Sequence, residues 1–294
     1  MEDDLLYRSD EAYTYGSKLL FLFERESLDE SFFHIPFTEY KKAKNYVSFA
    51  FSDQMYTPED IETSELIETD RPYAGYIYVE SALYQVTQQT LSSLAFEIGV
   101  IGEASHMDDL QKSIHKATGS DEPQGWKNQL SNELALQLKY NYKNYIPLEK
   151  VFSLESVIIP EFGVDFGNVS TRVYTGALLR YGWGIPKDFG SFTINNSTYS
   201  QIPLSSNIKA SQWRFCFNFG AKVNAIARDI FLDGNTVVSS HSVEKKNFTF
   251  NLLYGLSVHY QSFSFDWAHQ YTTKEFVGQD KAHLYTSFQF SYNY

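Results

Sequence analysis

One cysteine, eight prolines, no long apolar run and a shortage of basic charge set this 294-residue chain apart first by what it lacks. A lone thiol, Cys216, can neither close an intramolecular disulfide nor build a Cys-rich zinc site, so neither device holds the fold together. No stretch approaches the ~20 apolar residues that a membrane-spanning helix needs, and the mean hydropathy is −0.35. That excludes an ordinary helical membrane protein. It leaves open a membrane β-barrel, whose lumen and loops are polar while alternate strand residues face lipid. Lys and Arg number 24 against 36 Asp and Glu, a net charge of −12, so the basic footprint of a nucleic-acid binder is missing. The opening Met1-Glu2-Asp3-Asp4 has no basic n-region and no apolar h-region. No signal peptide is therefore expected in the sequence as given, and Met1 reads as a residue added after cleavage.

What is present is aromatic: 24 Phe, 22 Tyr and 4 Trp, 17% of the chain. They fall into apolar–polar alternation of period two, the mark of a strand with two unlike faces. From Trp213, residues Phe215, Phe217, Phe219, Ala221, Val223, Ala225 and Ala227 share one face, with Arg214, Cys216, Asn218, Lys222 and Asn224 on the other. Soluble strands usually run 3–10 residues, and this longer pattern suits a strand that crosses a bilayer. Phe248 to Tyr260 repeats it, Phe263 to Trp267 follows after a tight turn at Gln261-Ser262, and Leu284 to Tyr294 ends the chain. Earlier alternation lies near 18–24, 46–53, 73–84, 94–102, 133–142, 153–165, 173–183 and 190–197. The expectation is an all-β single domain over residues 1–294, an antiparallel transmembrane barrel of about twelve strands. A soluble sandwich or lipocalin-like barrel also alternates, but Tyr- and Phe-rich strand ends favour the membrane.

One segment breaks the pattern. Met107 to Lys116 has helical spacing, acidic residues in its first turn, basic ones in its last and Gly119 beyond. Asp108, Gln111 and His115 share one face of it. Histidine is the usual general base near neutral pH, and a neighbouring amide would orient it or a water. The plainer reading is a solvated helix face with an incidental histidine. Two further groups stand out. Glu2-Asp3-Asp4 and Asp10-Glu11 supply hard oxygen ligands of the kind calcium takes, without EF-hand spacing. Asp70-Arg71-Pro72-Tyr73-Ala74-Gly75 opens a strand after Tyr56-Thr57-Pro58, and taken alone it is turn and packing chemistry.

In chain order, Glu2 to Asp4, Asp10 to Gly16, Tyr56-Thr57-Pro58, Asp70 to Gly75, Gly99 to Gly102, Gln111 with His115, and Gly125-Trp126 through Asn132-Glu133 form a recognisable set. Gly167-Asn168, Arg228 to Gly234 and Glu275 to Gln279 continue it. Together these runs resemble the outer-membrane lipid A 3′-O-deacylases over nearly the whole chain. The resemblance implies a twelve-stranded barrel with a helix on an extracellular loop, an active site between wall and helix, and calcium as cofactor. It implies removal of the 3′-linked acyloxyacyl chain of lipid A by water, in a monomer surrounded by outer-membrane lipids. Carried over by position, His115 is the base, Gln111 its neighbour, and Thr14 lies in the oxyanion region. Asp4, Asp3 and Asp121, or Glu122 beside it, are the metal carboxylates, and Arg71, Lys112 and Lys116 are candidates for lipid phosphate. Two departures stand out. Asp3 occupies an Asn position, and the acidic run Glu59 to Glu65 replaces basic residues that some members carry. An acidic loop beside a phosphorylated lipid predicts that substrate binding needs a bridging divalent cation. The alternatives are an outer-membrane phospholipase using Ser105 or Ser113, for which no Gly-x-Ser-x-Gly exists, and a non-enzymatic pore or adhesin.

Overall fold

The structure is a computed structural model that describes residues 1–4, 12–25, 35–38, 43–190, 193, 198–204 and 213–293. Each long alternating run becomes one strand. In chain order these are β1 (Glu2–Asp3), β2 (Ala12–Arg25), β3 (Lys44–Thr57), β4 (Ala74–Val86), β5 (Thr90–Ile101), β6 (Glu133–Asn144), β7 (Ile146–Pro147), β8 (Glu155–Gly167), β9 (Ser170–Trp183), β10 (Arg214–Asp229), β11 (Phe248–Tyr260), β12 (Phe263–Thr272) and β13 (His283–Tyr292). Neighbours pair antiparallel, β6 pairs β8, and β1 pairs both β13 and β2, so twelve strands close on themselves and the short β7 is an addition beside β8.

The barrel closes at an unexpected place. The alternation over 190–197 is no strand where it is described. Gly190 sits at φ 71, a left-handed conformation, and its N–H donates to Asp188 Oδ1 at 2.8 Å, which makes a turn instead. Residues 191–192 and 194–197 lie outside the described residues, as do Asp10 and Glu11. The twelfth strand is instead β1, whose Glu2 lies opposite Gly16 on one side and Ser287 on the other. Two residues are too few to show a period.

The distribution of polarity separates a membrane barrel from a soluble one. Phe21, Phe49, Phe51, Phe96, Phe217 and Phe219 point outward and are exposed, while Glu80, Glu97, Lys143, Glu161, Arg180 and Lys222 are buried in the lumen. A soluble barrel would reverse this, and an apolar band this continuous needs lipid against it. Inside, the charges pair between nearby strands: Lys18 with Glu80 at 2.8 Å, Lys139 with Glu97 at 2.5 Å, and Glu161 with Lys222 at 2.9 Å. No helix among the described residues is long and apolar enough to cross a membrane.

The two ends differ. At one end the loop after β9 folds back into the lumen, with Ile185, Phe189 and Ile202 packed beside Tyr84, Leu91 and Leu178. Arg180 holds it through Asp188 Oδ1 at 2.6 Å, and Lys143 donates to Ser200 Oγ at 2.8 Å. At the other end stand the loop between β3 and β4, the loop after β5, and α2 (Ile230–Asp233) with the chain following it. The loop after β5 carries α1 (Met107–Thr118), where the helical spacing placed it. Gly119 stops α1 in the left-handed conformation at φ 75, with its N–H on His115 O, as a C-terminal cap requires.

Candidate active site between helix and barrel wall

On β3, Phe49, Phe51, Asp53, Met55 and Thr57 alternate onto the outer face. Phe49 and Phe51 are exposed, but Asp53, Met55 and Thr57 are buried. Something covers the wall near this end, and it is α1 with its flanking loop. Met55, Ile61, Tyr73, Met107 and Trp126 form one apolar cluster, with Tyr15 and Leu110 packed against it. The approach is close because β4 presents no side chain there. A Cβ on Gly75 would sit 2.6 Å from Met107 Cβ and 2.1 Å from Ser105 Oγ. The dispensable-looking glycine of the Tyr-Ala-Gly run thus sets the distance between helix and wall.

The buried face of α1 is Met107, Gln111 and His115, successive positions four apart. Asp108, which the spacing placed on that face, is only half-buried and accepts from Lys112 Nζ at 3.2 Å. Gln111 and His115 are only 2% and 3% exposed. His115 Nδ1 makes a short hydrogen bond to the backbone carbonyl of Asp121. A carbonyl only accepts, so Nδ1 carries the proton and Nε2 is the basic nitrogen of the neutral ring. Gln111 Oε1 accepts from Trp126 Nε1 at 2.6 Å. Its orientation is thereby fixed, and the amide Nε2, buried and without a hydrogen-bond partner among the described residues, is left as a donor. Trp126 is the positioning residue that helical spacing alone did not single out. It lies eleven residues beyond His115 and returns to α1 only because Gly125 packs on the Tyr73 ring. Trp126→Phe keeps the ring and removes the indole N–H, and the loss of one neutral hydrogen bond, about 0.5–1.5 kcal/mol, is expected to lower kcat by a factor of about two to ten. A steady-state assay checks it, and an unchanged kcat would remove Trp126 from the site.

The acidic start of the chain is built into the wall between β2 and β13. Asp4 is wholly buried and its N–H donates to Thr14 O at 3.3 Å. Thr14 occupies the irregular step in the β2–β3 register, and its hydroxyl meets that of Thr57 at 2.6 Å. Asp3 is half-buried in β1, and the Asp121 side chain is exposed even though its carbonyl holds His115. Among the described residues no three His, Cys, Asp or Glu side chains converge to hold a metal. The expected cage of three carboxylates is therefore not what these residues form. The donors present are hard oxygens of mixed kind, a buried carboxylate with hydroxyls and carbonyls, which suit calcium and not zinc.

The remaining candidates separate. Lys112 pairs with Asp108, and Lys116 is exposed on the far side of α1. Arg71 departs from its expected role as a phosphate ligand. Its guanidinium is 2% exposed, pairs with Glu275 Oε2 at 2.7 Å and lies over the Tyr56 and Phe276 rings inside the lumen mouth. Ser105 Oγ donates to Gly102 O at 2.6 Å and Ser113 Oγ to Asp109 O at 2.7 Å, so each serine proposed as a nucleophile is bound to a backbone carbonyl.

An apolar outer wall, a paired polar lumen and a buried histidine on the loop helix at one end define a membrane β-barrel with a helix-covered polar site. The chain belongs to the LpxR family: the profile described as outer membrane protein LpxR matches residues 1–294. Among solved structures it is similar to LpxR from Salmonella typhimurium, with a TM-score of 0.76 and 17% identity over 99% of this chain and 94% of that one. At that identity the likeness speaks to the fold. No curated protein sequence matches the chain.

Proposed function

We propose that this protein is a lipid A 3′-O-deacylase, an ester hydrolase working at the outer face of the barrel wall. The observation that carries the reading is the hydrogen bond of His115 to the Asp121 carbonyl: it puts the proton on Nδ1 and makes Nε2 the base of a buried histidine on the helix that covers the outer wall. A lipid substrate reaches such a site sideways from the membrane, without leaving it. Nε2 takes a proton from water as the water oxygen bonds to the ester carbonyl carbon. The carbonyl oxygen becomes an oxyanion, toward which Gln111 Nε2–H is the buried donor. Collapse breaks the carbon–oxygen bond to the sugar, and the protonated imidazole returns its proton to the departing alkoxide, leaving a fatty acid and a free hydroxyl.

Calcium belongs to this proposal: Asp4, with Asp3 and the Thr14 and Thr57 oxygens as further donors, would hold it. When bound it supplies positive charge beside the ester. The loop of residues 58–73 keeps its acids outward, with Glu59, Glu62 and Glu65 exposed. Binding of lipid A to a His115→Ala variant is therefore expected to strengthen as calcium is titrated in, beyond the level that saturates activity of the unmodified protein. Binding independent of calcium would count against a bridging cation. The reaction itself is tested by incubating the detergent-folded protein with lipid A, with calcium and then with chelator, and reading products by mass spectrometry. Loss of one acyloxyacyl group, abolished by His115→Ala, is the expected result. Unchanged lipid with a folded barrel would overturn the reading.

A further inference from the structure

The lumen holds a second cavity, separate from the helix-covered site, at the same end of the barrel. Arg71, Asn224, Asp229, Phe231, Glu275 and His283 are among its lining residues. Three of these residues are nearly inaccessible to solvent, Arg71 and Asn224 at 2% and His283 at 3%, yet each has a polar atom with no hydrogen-bond partner among the described residues: Arg71 Nε, Asn224 Oδ1 and His283 Nδ1. A buried polar group left unpaired costs about 1–3 kcal/mol, so three around one cavity indicate that something fills it.

The pattern of those atoms says what. His283 Nε2 lies 3.2 Å from the Tyr13 carbonyl, to which it must donate, so in the neutral ring Nδ1 is an acceptor. Asn224 Nδ2 is taken by Thr249 Oγ1 and Asn251 Oδ1, which leaves Oδ1 as an acceptor too. Arg71 Nε is a donor. Two acceptors and one donor match hydroxyl groups, which both give and accept, and do not match a phosphate, which only accepts. Charge agrees. The cations of the lining are already matched, Arg71 by Glu275, Lys139 by Glu97 and Arg172 by Asp165, and Asp229 adds a negative charge that repels anions. Tyr56 and Phe231, stacked at 3.8 Å between centroids, add an aromatic wall. The free volume is about 70 Å³, several times the ~10–15 Å³ a cavity needs to hold one water, so it admits a small polar molecule.

We propose that the lumen mouth is a binding site for a single uncharged sugar ring, independent of the esterase site and requiring no deacylation for its occupancy. Saturation-transfer NMR on the full chain in detergent, with methyl α-glucopyranoside as probe, is expected to show transfer to the sugar at millimolar concentration. Inorganic phosphate, followed by its effect on the melting temperature, is expected to do nothing. Asn224→Leu and His283→Phe, each checked for a folded barrel, are expected to weaken the sugar by about tenfold, the factor that ~1.4 kcal/mol of lost hydrogen bonding produces. Competition by lipopolysaccharide bearing its core sugars would assign the ring to a glycolipid, and sugar binding without such competition would assign it to a free saccharide. No transfer to the sugar in the unmodified protein means that ordered water alone fills the cavity, and it overturns the proposal. So does stabilisation by phosphate equal to that by sugar, or unchanged sugar affinity in both folded variants.

Discussion

Deacylation is expected to fall by about 10²–10⁴ in kcat when His115 is replaced by alanine, the span a positioned general base contributes. The physical reason is specific to Nε2. An imidazole whose Nδ1–H donates to the Asp121 carbonyl keeps Nε2 as its basic nitrogen. His115→Gln is the sharper variant, because glutamine offers an N–H to that carbonyl but no basic nitrogen, so it retains the contact while removing the proton acceptor. Both variants are expected to melt as the unmodified barrel does. If either retains more than about a tenth of the rate, proton transfer by His115 adds less than ~1.4 kcal/mol and the assigned role fails.

An added methyl group at Gly75 is expected to have an effect of similar size without touching a single reacting group. In Gly75→Ala the new Cβ would lie 2.6 Å from Met107 Cβ and 2.7 Å from Met107 Cγ. Carbon atoms rest about 3.5–4.0 Å apart, so α1 must back away by roughly an ångström. A displacement of that size can cost about 10²-fold in rate when it moves a catalytic group relative to its substrate. The barrel itself is expected to survive, since β4 keeps its pairing with β3 and β5. Val79 provides the control: it lies two pleats along the same outer face and is 51% exposed, so Val79→Ala is expected to leave kcat unchanged. Equal activity of Gly75→Ala and Val79→Ala would show that the helix need not approach the wall for catalysis.

Much of the architecture was legible because it is written in local periods. Eleven of the alternating runs became strands, and the Met107 to Lys116 spacing became α1 with Gly119 as its stop. The run over 190–197 misled for a local reason as well: it alternates, but Asp188 captures the Gly190 N–H and Arg180 draws the loop inward. The site was half legible. The i, i+4 spacing of Gln111 and His115 put both on one helical face, but Met107 and not Asp108 shares their burial. Trp126 and Gly75 lie inside the Gly125-Trp126 and Asp70 to Gly75 runs, with no local feature to reveal that they orient Gln111 and admit the helix. Arg71 illustrates the reverse. A conspicuous arginine beside an acidic loop looked available for phosphate, but Glu275, 204 positions away in sequence, already pairs with it.

The sequence by itself determined that this is an all-β chain of long alternating strands with one helical loop, because alternation, length of run and helix-terminal charge are properties of neighbouring residues. Only the tertiary structure decided that the apolar face meets lipid, and which polar residues line the lumen and which the candidate site under α1. Both faces carry polar residues near the helix end, and register and barrel closure alone bring Asp4 to Thr14, α1 to Gly75, and Arg71, Asn224 and His283 to one cavity. Those contacts join residues far apart in the chain, where no period reaches.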